Sequence, residues 1–292
     1  MNARCLIVNA DDFGLTRAGD EAILRLFEAG RITSTTILAP AARAEVACAA
    51  AKERGLPAGV HWTLHAEWEE ERWPPSAGAA AVPSLCEEGA LMCDAGRMAR
   101  RARSGDVSRE LEAQISFLSS RGVVPDHADS HGGTLYGING RLFFLNAFRL
   151  CRRHDLPFRF PRREEFLRRQ LGREPGALLR AAHRAIVASA DRHGVKLIDD
   201  FITNPYPAAK IGGFSALAAY YERELASAGD GITELFLHPS LPDEALRRRT
   251  GEWQKRVWEY DYLSGDAFAS LVEREGFTLC SWADAPFGAR RK

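Results

Sequence analysis

Leu6-Ile7-Val8-Asn9-Ala10-Asp11-Asp12-Phe13-Gly14 is an apolar run that stops in two adjacent carboxylates, with a glycine turn and a helical segment after it. Its apolar part is extended and short enough to be one strand. Like charges side by side at a strand tip repel each other, so stability does not explain them. A bound cation or a proton-transfer task does. The plainer reading is that Asp11 and Asp12 cap the next helix and favour its dipole. Later extended segments end in histidines, which favours the cation. Neighbouring side chains leave a strand in different directions, an arrangement suited to one ligand and one base.

Outward from this first strand (Cys5–Asn9) the chain alternates extended and helical patterns. Ala22, Ile23, Leu26 and Phe27 recur at helical spacing within Arg17–Ala29, between a Thr16 cap and a Gly30 stop. Ile32–Leu38 is β-branched and extended, and an alanine-rich helix runs on to Arg54. Further strands are predicted at Ala58–Leu64, Val123–His127, Pro157–Phe160, Val195–Phe201, Thr233–Leu237 and Phe277–Ser281. Helices at Val107–Arg121, Leu142–His154, Phe214–Ala228 and Ala267–Glu275, and a helical region reaching His193, fall between them. About eight strands separated by helices is the repeat of a (β/α) barrel, TIM-barrel-like, read as one domain over residues 1–292. A doubly wound open sheet is the alternative, but no glycine-rich nucleotide turn follows the first strand. Ala66–Asp106 and Pro239–Gly265 break the rhythm. They carry Trp68, Trp73, Trp253, Trp258, Tyr260 and Tyr262 and are expected as ordered loop excursions over the C-terminal mouth, with rings suited to stacking on sugars.

Lys+Arg and Asp+Glu balance at 39 each, a formal net charge of zero that argues against nucleic acid as the main partner. The six cysteines (Cys5, Cys48, Cys86, Cys93, Cys151, Cys280) form no CxxC pair and are expected to be buried, reduced thiols. No apolar run is long enough for a bilayer, and the first strand starts without a signal-peptide pattern, so a cytoplasmic protein with no membrane partner is expected.

Active sites of parallel barrels lie at the carboxyl ends of the strands. Asp11 and Asp12 follow the first strand and His61 lies in the third. His127, Asp129 and His131 follow the fourth, Arg159 ends the fifth, Asp199 and Asp200 end the sixth, and His238 follows the seventh. Two histidines and one carboxylate make an open site for a divalent metal, with positions left for water and substrate. A carboxylate outside the ligand set can take the proton of the water, and a histidine opposite can protonate a leaving amine. The plain alternatives are a hydrogen-bonded core role for His61, a polar turn at His127–Asp129 and a surface arginine at 159.

Leu6–Gly14, Thr33-Ser34-Thr35-Thr36, Gly59-Val60-His61-Trp62-Thr63-Leu64, Asp126-His127-Ala128-Asp129-Ser130-His131 and Glu234-Leu235-Phe236-Leu237-His238-Pro239 resemble, in order, the motifs of the YdjC/ChbG/HpnK-type carbohydrate deacetylases. The resemblance runs from residue 6 to about residue 282. It implies a (β/α) barrel that uses one divalent metal ion, zinc or magnesium, to remove acetyl groups from N-acetylated sugars. By the same resemblance Asp12, His61 and His127 hold the metal, Asp11 is the base, His238 the acid, and Arg159 orients Asp11. The choice of Asp12 over Asp11 as ligand follows similarity to NodB-type deacetylases. Gly132-Gly133-Thr134-Leu135-Tyr136 stands where better-known members have a histidine-rich run, and Ser240 where glycine is common. Substrate contacts are expected at Asp129, His131, Tyr136, Trp68 and Asp200. The expected partner is a small N-acetylated sugar, with a homodimer left open. The alternatives are a metal-dependent hydrolase of a cyclic amide or phosphoester, and an inactive carbohydrate-binding barrel.

Overall fold

A computed structural model describes residues 4–288. Its strands are β1 (Arg4–Phe13), β2 (Ser34–Ile37), β3 (Ala58–Trp62), the short pair β4 (Cys86–Glu87) and β5 (Ala90–Leu91), β6 (Ala128–Ser130), β7 (Asp200–Ile202), β8 (Gly231–Leu237) and β9 (Phe277–Leu279). Seven of these make one curled sheet in the order β6-β3-β2-β1-β8-β7, with β9 also paired to β1. All its pairings are parallel, as helical crossovers require. Isolated parallel bridges from Ala128 to Phe158 and from Phe158 to Leu197 link the two edges. The fold is thus of the (β/α)-barrel type, with the Phe158 segment serving as a thin stave.

The first strand is the axis of the sheet. Along one edge it pairs with β8 from Arg4 to Ala10; β9 meets Arg4–Leu6, and β2 pairs from Asn9 onward. Its alternation sorts the side chains. Leu6, Val8 and Ala10 belong to the large core with Ile23 and Leu26 of the Arg17–Glu28 helix. Cys5 and Ile7 face the other way and pack with Ile198, Ile232, Phe166 and Trp282. The same parity continues upward into Asn9 and Asp11, which are also buried. The barrel interior therefore has an apolar floor and a polar upper layer.

Several expected boundaries move. The strand predicted at Val123–His127 forms at Ala128–Ser130, because Val123 closes the preceding helix through its N–H to Leu118 O and Pro125 has no N–H for a ladder. The Pro157–Phe160 strand is reduced to the single position Phe158, and Val195–Phe201 becomes a bridge at Leu197 followed by β7. Both excursions are ordered. Glu110 receives the N–H groups of Ser76 and Ala77 (2.8 and 2.9 Å), and the second excursion folds into the helices Glu244–Arg249 and Trp253–Ser264. Trp68 and Trp73 are buried, so they pack rather than offer an open platform. Cys5 and Cys280 are joined in a disulfide across β1 and the end of β9, Cα atoms 6.2 Å apart, which corrects the expectation of reduced thiols at those two positions. Among the described residues, no helix is long and apolar enough to cross a membrane.

Candidate metal centre

The two aspartates reach one cluster because the strand is irregular at that point. Ala10 pairs with Thr35 and Phe13 with Ile37, so β1 carries one more residue than β2 over this stretch. Asp12 takes a φ of 69°, the left-handed region that a short carboxylate side chain tolerates better than most. A regular strand would send neighbours to opposite faces; this bulge re-aims Asp12. Asp12 Oδ1 stands 3.3 Å from His61 Nε2 and 3.3 Å from His131 Nδ1. The donor atoms of Asp12, His61 and His131 all lie within 4.8 Å of one another, and all three residues are buried. Among the described residues, neither Asp12 oxygen accepts a well-aligned hydrogen bond. These buried, converging donors fit a divalent ion, with Asp12 Oδ2 also 2.8 Å from Arg256 Nη1.

His61 is aimed from behind. Its Nδ1 is 2.6 Å from Asp129 Oδ1 and 3.2 Å from Thr36 Oγ1, which turns Nε2 toward Asp12. His131 is packed between His65, stacked with ring centroids 5.2 Å apart, and Trp73 at 5.9 Å. Burial, aided by His131, drives the His65 imidazole down to about 3.

Beneath lies a network around Arg159. Its guanidinium forks onto Asp11 (Nη1 to Oδ2 2.7 Å, Nη2 to Oδ1 2.8 Å) and onto Glu234 (both 2.8 Å), with Asp129 Oδ2 at 2.5 Å. Burial alone would raise the Asp11 carboxyl, but Arg159, with His61 and His238, holds it at about 2. Three carboxylates around one guanidinium leave negative charge in excess. Burial would lower His61, yet Asp129 together with Asp12 and Asp11 lifts it to about 10. Donor atoms of Asp11, His61 and Asp129 also lie within 4.8 Å of one another, but both carboxylates there are already ion-paired with Arg159. That second set reads as a salt-bridge network rather than a cation site. Asp11 also accepts from Asn9 Nδ2 (2.7 Å) and lies 3.8 Å from His238 Nε2, whose ring is partly open to solvent.

The structure brings Asp11, Asp12, His61, Asp129, His131, Arg159 and His238 together. It does not bring His127. Because β6 starts at Ala128, His127 lies below the polar layer and His131 above it. The His127 Nδ1 is 2.6 Å from Asp126 Oδ1, and its ring stacks on Trp282 at 4.4 Å. It fills the space left by Gly59, where a Cβ would run into the ring. His131, rather than His127, faces Asp12 and His61. Tyr136 supports the site from outside, its hydroxyl donating to Arg159 O at 2.8 Å; burial pushes the phenol well above its ordinary value, so it stays a donor. Asp200 is ion-paired with Arg169, and Trp68 lies under the Arg249 guanidinium, 5.0 Å from its ring centre. Asn9, Glu234 and Arg256 are site residues that no expectation from the sequence included. Asn9 and Glu234 carry a signal, since each shares strand parity with a site residue (Asp11 and His238); Arg256, 2.8 Å from Asp12 Oδ2, carries none.

A family model described as YdjC-like protein matches residues 5–274. The carbohydrate deacetylase of Geobacillus stearothermophilus is 28% identical over 284 residues, covering 96% of this chain and 98% of that protein. The human carbohydrate deacetylase is 30% identical over 310 residues (96% and 90% covered), and the chitooligosaccharide deacetylase of Serratia marcescens 27% over 292 residues (96% and 99%). A crystal structure from Enterococcus faecalis V583, of a proposed cellobiose-phosphate cleavage protein, superposes with a TM-score of 0.76 at 25% identity, covering 96% of this chain and 98% of that one. With a matched model over nearly its whole length and relatives alike from end to end, this chain belongs to the YdjC-like protein family.

Proposed function

We propose that this chain is a carbohydrate deacetylase that hydrolyses the N-acetyl amide of an amino sugar, with a single divalent ion held by Asp12, His61 and His131. The observation that carries the reading is the buried Asp12 Oδ1 facing two histidine nitrogens at 3.3 Å, above an Asp11 that is held ionised. Relatives named carbohydrate and chitooligosaccharide deacetylases support the substrate class. Two imidazoles in the donor set favour zinc over magnesium, which prefers oxygen ligands. When bound, the ion supplies Lewis acidity toward the amide carbonyl and makes the attacking water more acidic. Asp11 receives the proton of that water on Oδ2, the oxygen that faces His238. Arg159 and Asn9 keep the carboxylate from turning. His238, on the open side of Asp11, delivers a proton to the departing amine. The low pKa of Asp11 keeps it ionised across the working range, free to accept a proton.

The test is acetate release from a panel of N-acetylated sugars, with zinc-loaded and chelator-treated protein run side by side. Acetate that appears only with the ion supports the reading. No acetate from any sugar with the ion present would overturn it.

A further inference from the structure

Arg256 belongs to the Trp253–Ser264 helix of the second excursion and reaches down to the site: Nη1 is 2.8 Å from Asp12 Oδ2. Its Nη2 lies 3.7 Å from Glu67 in the first excursion. The backbone oxygen of Arg256 accepts from Ser240 N (3.0 Å), which docks the helix against the turn after β8. Less than one helical turn further on, buried Glu259 receives the His238 N–H on Oε2 and the Tyr221 hydroxyl on Oε1, both at 2.8 Å. Residues three apart share a helix face. One element therefore holds both the Asp12 carboxylate and the strand end that carries His238.

The oxygens of Asp12 are divided unevenly. Oδ1 faces His61 and His131, while Oδ2 faces Arg256. A carboxylate left to itself can give a metal one oxygen or both. We propose that Arg256 is a positioning residue that engages Asp12 Oδ2, so that Asp12 presents only Oδ1 to the ion and leaves room there for water and the substrate carbonyl. This rests on the metal reading above. Removing the guanidinium frees Oδ2 and also deletes a positive charge beside the ligand set, so the cation should bind more tightly while its surroundings change.

Co²⁺ is the probe, because its visible absorption weakens as its coordination number rises. Chelator-treated full-length wild type and Arg256→Met are titrated with Co²⁺ and followed by absorption and calorimetry. The expected result for the variant is Co²⁺ affinity raised by a factor on the order of 10 and a weaker, shifted visible band. Arg256→Leu, which likewise has neither a charge nor a hydrogen-bond donor, carries the same comparison should the methionine variant fail to fold. A folded variant with the wild-type band overturns the inference and leaves the metal reading intact. A wild type that takes up no Co²⁺ overturns both.

Discussion

Asp11 has little freedom left. Arg159 and Asn9 occupy Oδ1, Arg159 takes one lone pair of Oδ2, and the remaining direction points to His238. Asp11→Asn is expected to keep the fold and the divalent ion but to lower turnover by about 100-fold or more, since an amide cannot take the proton. Metal content and rate, measured on the same sample, check this; loss of the ion instead would move the ligand role to Asp11. His65 gives a pH prediction for the metal-free protein. With its folded value near 3 and the ordinary value at 6.5, the folded state binds fewer protons than the unfolded chain between these limits. Stability from this group is therefore lost as pH falls from 6.5 toward 3. In urea titrations across that range His65→Gln should lose stability less steeply than wild type; equal slopes would remove His65 as the cause. Asp11, Asp12, His61, Arg159 and His238 were legible in the sequence because each marks an abrupt polar position in or at the end of an apolar run. His127 and His131 could not be told apart in that way. They share parity, and only the height of the strand, set by where β6 begins, separates them. Arg256 sits in a helix of ordinary charged composition, and no local pattern sets it off from its neighbours.

At the scale of elements, the site depends on two departures from regular strand geometry. The β1 bulge turns Asp12 toward the side that Asp11 already occupies, which a strict alternation of period two does not anticipate. The second departure is the missing side chain at Gly59 of β3. The His127 ring occupies that space, pressed from the other side by Trp282 with the two planes inclined by only 6°. Gly59→Ala is expected to destabilise the protein by about 1–3 kcal/mol through overpacking. Introduced on top of His127→Ala, it should cost clearly less, a coupling that a double-mutant cycle in urea measures. Additive effects would mean that the ring and the glycine are not in contact. The same pair explains why His127 resembles a ligand in sequence yet serves as filling: its ring is stacked on indole and held through Nδ1 by Asp126, within the floor of the barrel.

For the whole molecule, the alternation of strand and helix was sufficient to indicate a barrel, because every parallel pairing needs a crossover and buries both faces of the sheet. The number of full staves was not legible. The Phe158 segment looks like its neighbours in composition but contributes only one bridged position. Nor was the Cys5–Cys280 link legible, since the two residues are 275 positions apart and no spacing rule connects them. That cross-link ties β1 to the end of β9. Reductant is expected to lower the thermal midpoint, by an amount equivalent to about 2–4 kcal/mol. Cys5→Ser combined with Cys280→Ser should melt where the reduced wild type does and should no longer respond to reductant. The pairing of β1 with both β8 and β9 also sets an order of events during translation. Made before β8 and β9, β1 must wait, with one edge and the lower part of the other unpaired, until both have followed it. For that interval an apolar strand with an acidic tip stands open to other chains, so productive folding in the cell depends on holding it apart until β9 arrives.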